Sequence, residues 1–215
     1  MNVAYGLTRA TLGRLPAYLA YAKDLQQGGG THTSATAIAR ALGLGEVQVR
    51  KDLSAISGAG KPKTGYQLEE LIASMEERLG YHNKNSAILL GAGKLGRALL
   101  DYDGFEAYGL TLLAAFDSDP DQCGATDNGK PIYPLDRMEA YIQEHQVSIG
   151  ILTVPPAAAQ AALDQLVQCG VKAIWSFTAR PLRIPEGVWY QQENLALSLA
   201  CLNGQLDTTP NEMKE

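Results

Sequence analysis

The sequence predicts an α/β chain: an N-terminal winged-helix (helix-turn-helix) domain followed by a Rossmann doubly wound parallel sheet. Three observations predict it. Residues 86–100 read as a short apolar strand, a glycine turn and the start of a helix, with Gly91, Gly93 and Gly96 in the spacing G-x-G-x-x-G. A second apolar strand, Leu112 to Phe116, ends in Asp117, 21 residues past Gly96. That is close to the spacing of about 20 expected for a carboxylate on the ribose hydroxyls of a bound dinucleotide. Upstream lie two short helical segments joined by a glycine turn, in the basic part of an otherwise acidic chain.

In chain order, Thr8 to Gln27 reads as an amphipathic helix. Leu12, Leu15, Leu19, Ala22 and Leu25 recur at three- and four-residue steps, and Pro16 is expected in the first turn or at a kink. Gly28-Gly29-Gly30 stops the helix. Thr33 or Ser34 caps a second helix, Ala35 to Leu42, and Gly43-Leu44-Gly45 turns the chain into a third, from Glu46 to Ile56. Val47, Val49, Leu53 and Ile56 are expected inside. Gln48, Arg50, Lys51 and Ser54 are left to reach outward, and their groups suit a major groove. Glutamine can read adenine, arginine or lysine can read guanine or hold phosphate, and serine can do either. The stretch from Gly58 to Tyr66 then carries Lys61 and Lys63 between glycines, which suits a β-wing on the phosphate backbone. A plain three-helix scaffold with a flexible basic linker is the alternative. Gln67 to Leu79 forms a further amphipathic helix.

In the fingerprint, the first glycine permits the tight turn, the second lets a pyrophosphate approach the backbone, and the third lets helix and strand pack closely. Backbone N–H groups of Ala92, Gly93, Lys94 and Leu95 are candidates to hold phosphate oxygens, and the Lys94 side chain can neutralise their charge. The later segments alternate as a doubly wound sheet requires. Ile132-Tyr133 is a strand, Leu135 to Gln146 a helix, Ser148 to Leu152 a strand, Ala157 to Cys169 a helix and Val171 to Phe177 a strand. Ligands in such sheets sit outside the carboxyl ends of the strands. This places Gly91, Gly96, Asp117, Thr153, Val154, Pro155, Ser176 and Phe177 at one crevice. Asp117 should repel a 2′-phosphate, which favours NAD(H) over NADP(H). Val188-Trp189-Tyr190 reads as an edge strand, and Asn194 to Leu206 as a helix too apolar all round to stand free in water.

Charge divides the chain. Residues 1–66 hold eight Lys and Arg against three Asp and Glu, and the remainder holds ten against twenty. Only the first part suits a polyanion. Cys123, Cys169 and Cys201 are widely spaced and His32, His82 and His145 are isolated, so no metal site is expected. The three cysteines, the missing signal-peptide pattern and the absence of a membrane-length apolar run predict a cytoplasmic protein without a membrane partner. No catalytic set is visible: no histidine falls at a strand end in the crevice, and there is no Tyr-x-x-x-Lys pair.

The chain resembles the redox-sensing transcriptional repressors called Rex. The residues that carry the resemblance are Arg14-Leu15-Pro16-x-Tyr18, Val49-Arg50-Lys51-Asp52-Leu53-Ser54, Gly91-x-Gly-x-Leu95-Gly96, Phe116-Asp117-x-Asp119-Pro120, Thr153-Val154-Pro155 and Gly170-Val171-Lys172. They occur in the family's order, from about Thr8 to Leu206. The resemblance implies a winged-helix domain (1–80), an NAD(H)-binding Rossmann domain (81–190) and a C-terminal helix (191–206) swapped between the subunits of a homodimer; the polar residues after it, 207–215, are expected to form a mobile tail. It also implies binding to double-stranded operator DNA that NAD⁺ permits and NADH abolishes. Tyr102 matches a family aromatic near the nicotinamide, with packing against Phe105 as the alternative, and Ser176-Phe177 stands where the family has Asn-Phe.

The chain departs from the pattern in four further places. Ser54-Ala55-Ile56-Ser57 replaces Ser-Tyr-Phe-Gly, and Pro62-Lys63-Thr64-Gly65-Tyr66 has a lysine where the wing usually has a glycine. Ala20 and Asn194 stand where the family carries an arginine and an aspartate that pair in the DNA-binding state. The competing expectations are a small NAD-dependent dehydrogenase and a CoA- or nucleotide-binding module.

Overall fold

In a computed structural model that describes residues 7–62 and 64–206, the chain divides into two units. One holds the described residues up to Asn83 together with Ala107–Gly109. The other holds Lys84–Glu106 and the described residues from Leu110 onward.

The first unit is built on α1 (Arg9–Gln27), α2 (Ala35–Leu42), α3 (Glu46–Ser57) and α4 (Leu68–Leu79). Thr8 caps α1 by accepting the Thr11 N–H at 3.1 Å, and Ser34 caps α2 by accepting that of Ala37 at 3.1 Å. Gly43, in the left-handed conformation, ends α2. Pro16 lies well inside α1 rather than in its first turn, and the helix runs through it. Two strands that the sequence did not announce, β1 (His32–Thr33) and β2 (Tyr66–Gln67), pair antiparallel. Between α3 and β2, Lys61 and Gly65 exchange backbone hydrogen bonds of 2.8 Å, closing the tip of the wing. Gly65 has a φ of +79°, and a Cβ there would fall 2.2 Å from the Thr33 carbonyl oxygen, so only glycine fits.

Leu15, Tyr18, Leu19, Ile38, Val49, Leu53, Leu68, Leu71 and Met75 form the core of this unit. Val49, Leu53 and Ile56 are buried as expected, but Val47 is 66% exposed. At about 100° per residue, Val47 stands some 200° from Val49 around α3 and cannot share its face.

The second unit is a seven-stranded sheet in the order β5-β6-β4-β3-β7-β8-β9. Its strands are β3 (Asn85–Leu90), β4 (Leu110–Asp117), β5 (Gly124–Ala125), β6 (Pro131–Pro134), β7 (Ile149–Leu152), β8 (Ala173–Ser176) and β9 (Trp189–Gln192). All neighbours are parallel except the short edge strand β5. Without β5 this is the Rossmann order 3-2-1-4-5-6, with the reversal of winding between β3 and β7. Helices α5 (Lys94–Leu100), α6 (Met138–His145) and α7 (Ala159–Gln168) fill three crossovers, whereas a 3₁₀ turn and the edge strand β5 lie between β4 and β6, and irregular chain joins β8 to β9. The expected helix from Leu135 begins as a tight 3₁₀ turn, Leu135–Arg137, and ends at Gln146 in a left-handed conformation.

The sheet is covered on both faces, which is why β3 is apolar throughout. Ile88 and Leu90 pack with Met138, Ile142, Leu163 and Leu166 of α6 and α7. Ala87 and Leu89 pack on the opposite face with Leu100 of α5. A register shift against β4 between Ala87 and Ile88 lets Leu112 and Ala115 share one face while Ala114 and Phe116 share the other.

The last helix, α8 (Leu195–Leu206), is capped by Asn194, whose Oδ1 accepts the Leu197 N–H at 2.9 Å. The predicted tail, 207–215, lies outside the described residues. Among the described residues no helix is long and apolar enough to cross a membrane, and no group of His, Cys, Asp and Glu could hold a metal ion.

Candidate cofactor crevice and DNA-contacting helix

The crevice forms where β3, β4 and β7 end side by side. Gly91 turns the chain at a φ of +96°, and a Cβ on it would lie 2.9 Å from the backbone of Thr153 and Val154. A Cβ on Gly96 would lie 2.0 Å from the Gly91 carbonyl oxygen. Both glycines are therefore imposed by packing. A Cβ on Gly93 would meet nothing within 4 Å, which leaves backbone open at the start of α5 for a pyrophosphate. Thr153 Oγ1 lies 2.7 Å from the Gly91 carbonyl oxygen and 3.0 Å from that of Leu90, pinning β7 to the glycine turn.

Asp117 ends β4, and its two carboxylate oxygens accept N–H groups of the loops on either side. Oδ2 accepts from Ala92 at 2.6 Å and Oδ1 from Asp119 at 2.9 Å. Each oxygen keeps a lone pair for a ribose hydroxyl. Beside it, Leu90, Phe116, Leu135, Val154, Pro155 and Ala158 line part of a cavity of about 190 Å³ that also reaches Ser118, Ala161, Ala162 and Gln165. A mainly apolar slot next to the Asp117 carboxylate suits an adenine ring. The accepting Asp117 carboxylate, the open glycine and the slot thus fit a dinucleotide.

The sequence missed the slot residues on α7 and Leu135. It also missed Arg97, whose Nε donates to the Ala92 carbonyl oxygen at 3.0 Å and whose Nη2 donates to that of Gln122 at 2.8 Å. This cation braces the glycine turn against the loop after Asp117.

Lys94 and Leu95 are exposed at the start of α5, while Ala92 is buried. Ser176 is buried at the end of β8, beside Leu152 of β7. Phe177 continues a row of rings: Phe177 to Trp175 at 4.5 Å, Trp175 to Phe105 at 5.8 Å, and Phe105 to Tyr102 at 5.0 Å between centroids. Tyr102 lies past the end of α5 rather than on it. It packs edge-on against Phe105 while staying 59% exposed, so its packing role and a free ring face coexist.

In the first unit, Gln48, Arg50, Lys51 and Ser54 are all exposed on α3, and Lys61 is exposed in the wing. Arg50 pairs with Glu46 one turn earlier. Lys63 lies outside the described residues. Histidines 32, 82 and 145 are exposed, and Cys123 is only partly so.

The sequence marks Arg14, Tyr18 and Asp52 acquire a physical role here. Asp52 is buried, and its carboxylate accepts from Arg14 Nε at 2.8 Å, Arg14 Nη2 at 2.9 Å, Tyr18 Oη at 2.9 Å and Thr11 Oγ1 at 3.0 Å. Burial pushes the Asp52 carboxyl up, but hydrogen bonds from Arg14, Tyr18 and Thr11 outweigh it and hold it below the usual carboxylate range. Asp52 in turn raises Arg14, against partial burial. Burial and then Asp52 raise Tyr18. The network fixes α3 on α1.

Two family models match the chain: "Putative DNA-binding protein N-terminus" over residues 7–54 and "CoA binding domain" over residues 82–180. The Redox-sensing transcriptional repressor Rex of Bacteroides fragilis is 41% identical, covering 92% of this chain and 90% of that protein. The chain belongs to the Rex family. The Rex of Treponema denticola is 40% identical over 91% of this chain and 93% of its own. A solved structure of RSP in complex with NAD⁺ and operator DNA matches with a TM-score of 0.88 and 30% identity, covering 96% of this chain and 94% of that one. RSP in complex with NADH matches with a TM-score of 0.81 and 30% identity, covering 94% of each chain. Rex proteins are repressors and not enzymes, so the dehydrogenase alternative falls.

Proposed function

We propose that this chain is a cytoplasmic, homodimeric repressor that binds operator DNA and releases it when NADH fills the crevice. The observation that carries the reading is the crevice itself. An open Gly93 backbone, a ribose-facing Asp117 and an apolar slot sit in a chain whose other unit displays Gln48, Arg50, Lys51 and Ser54 on one helix. The RSP structures, one with NAD⁺ and operator DNA and one with NADH, support the pairing of these two ligands.

NAD⁺ and NADH carry the same adenosine and pyrophosphate and differ at the nicotinamide by a hydride and one positive charge. The residues of the adenosine end, Gly91 to Gly96, Asp117 and Thr153 to Pro155, therefore supply affinity for both forms. Discrimination belongs to the other end, where the rings of Phe177 and Tyr102 beside the buried Ser176 offer aromatic surface that favours an uncharged ring. A ligand shifts an equilibrium only by its difference in affinity for the two states. The ring end is where that difference arises.

In the reading region, α3 and Lys61 and Lys63 of the wing meet the duplex. Two copies of α3 related by a two-fold axis need half-sites about 10 base pairs apart, or a multiple of that.

The swapped helix is supported by the surface of α8. Leu195, Leu197, Leu199 and Leu202 are 57–66% exposed on a helix that carries no charged residue. Such a surface needs a partner. A second copy of this chain supplies one, as the family resemblance implies.

The test is operator affinity of the purified protein at fixed total cofactor and varied NADH/NAD⁺ ratio. A fall with rising NADH is expected, and a flat response overturns the sensing role. Thermal-shift titration with NADH, NADPH and CoA separates NAD(H) from the CoA alternative.

A further inference from the structure

Val47 is a branched apolar residue that α3 leaves in water, with 66% of its surface exposed. At about 100° per residue, Ser54 stands about 20°, Lys51 about 40° and Arg50 about 60° away from it around the helix. All three are exposed, whereas Val49, Asp52, Leu53 and Ile56 are buried on the other side. Val47 therefore sits inside the outward face, between Arg50 and Lys51, one residue into α3. Glu46 precedes it, and its carboxylate pairs with Arg50. A valine scattered on a surface needs no explanation. This one stands among the reading residues, at the end of the helix whose first residues meet base edges. When Arg50 and Lys51 engage phosphates or bases on either side, the isopropyl group between them is pressed onto the floor of the groove.

What such a side chain can recognise follows by elimination. In the major groove guanine presents N7 and O6, adenine presents N7 and the N6 amino group, and cytosine presents the N4 amino group. Valine has no side-chain donor or acceptor, so against any of these it strips water and returns no hydrogen bond. Thymine alone adds an apolar group, the C5 methyl. Branching at Cβ holds the isopropyl group in one strongly preferred rotamer on a helix, so the contact costs little side-chain entropy. We propose that Val47 is a specificity-determining residue for operator binding, which reads the C5 methyl of one thymine in each half-site. The proposal rests on operator binding by α3, and it adds an apolar reader to the polar set Gln48, Arg50, Lys51 and Ser54.

The experiment uses full-length protein and an operator duplex that the wild-type protein selects from random sequence. Each thymine of a half-site is then replaced in turn by deoxyuridine, which keeps the base pair and deletes only the methyl group. At one position per half-site the wild type should lose about fourfold in affinity, the worth of one buried methyl group. Val47→Ser should bind the thymine and uracil duplexes equally at that position and leave the effect of every other replacement unchanged. Because Val47 lies outside the core, the melting temperature of the variant should match that of wild type. Loss of folded protein lowers affinity for both duplexes alike and does not erase the difference between them. Wild type that ignores every uracil, or a methyl effect that persists in Val47→Ser, overturns the proposal and leaves operator binding standing. Wild-type protein that selects no duplex overturns the reading of function first.

Discussion

The Asp52 carboxylate on α3 is held by Arg14 on α1 at 2.8 Å, across 38 residues of sequence. Removing one partner of a buried ion pair leaves the other without compensation. Asp52→Ala should therefore destabilise the first unit by about 3 kcal/mol. Tyr18→Phe, which deletes a single hydrogen bond to the charged group, should cost about 1–2 kcal/mol. The pH dependence has a definite sign. Asp52 is lowered in the fold, so its contribution is fully present above the ordinary carboxylate value of about 4 and drains away as pH falls through the lowered folded value. Tyr18 is raised, so its contribution is present below the ordinary tyrosine value of about 10 and is lost as pH rises through the raised one. Urea unfolding at pH 7 and pH 3 checks this: the gap between wild type and Asp52→Asn should narrow in acid.

That network shows where sequence reading stops. The strand, glycine turn and acid at Asp117 were legible because each is imposed locally, by a period of two, by a backbone that excludes a Cβ, and by a fixed crossover length. Ser34, Gly43 and the bounds of α2 were legible for the same reason. Arg14, Tyr18 and Asp52 were visible as residue types, but their meeting depends on how α1 packs against α3. Val47 was misplaced because an apolar residue in a short helix was credited to the core without counting its angle. Arg97 and the slot residues Ala158, Ala161 and Gln165 carry no signal in a single sequence, since their role appears only once β4 and α7 are placed beside β3.

Gly93 and Gly96 should separate binding from folding. Gly93→Ala meets no protein atom within 4 Å, so the melting temperature should stay within a few degrees of wild type. The added methyl enters the space where the backbone receives phosphate, and NADH affinity should fall at least tenfold. Gly96→Ala places its Cβ 2.0 Å from the Gly91 carbonyl oxygen, and α5 must shift away from β3. It should destabilise the second unit by about 2 kcal/mol or more. Thermal unfolding with and without NADH distinguishes the two. Equal effects of both variants on stability would argue against an open backbone at Gly93.

Asp117 should set the choice between NADH and NADPH. Its carboxylate already accepts the N–H groups of Ala92 and Asp119, so it is fixed in place and charged where a 2′-phosphate would fall. Asp117→Asn keeps one amide oxygen for Ala92 but removes the negative charge. NADH affinity should drop by about tenfold, the scale of a lost charge-assisted hydrogen bond, while NADPH affinity holds or improves. Isothermal titration with both cofactors measures the ratio. An unchanged preference for NADH would place the ribose elsewhere.

Leu199 and Leu202 should decide the oligomeric state. Both are exposed on α8, so a charge at either position meets no core of its own subunit. If the helix is buried in a second copy, Leu199→Asp puts an unpaired carboxylate into an apolar interface, and the dimer should fall apart. Sedimentation velocity should then show a monomer whose NADH affinity at the adenosine end is nearly intact, because Gly91, Gly93, Gly96 and Asp117 all belong to one subunit. Operator affinity should fall by about 100-fold, since the two reading helices no longer act as a linked pair. A dimer that survives both Leu199→Asp and Leu202→Asp would mean that α8 is not what joins the subunits.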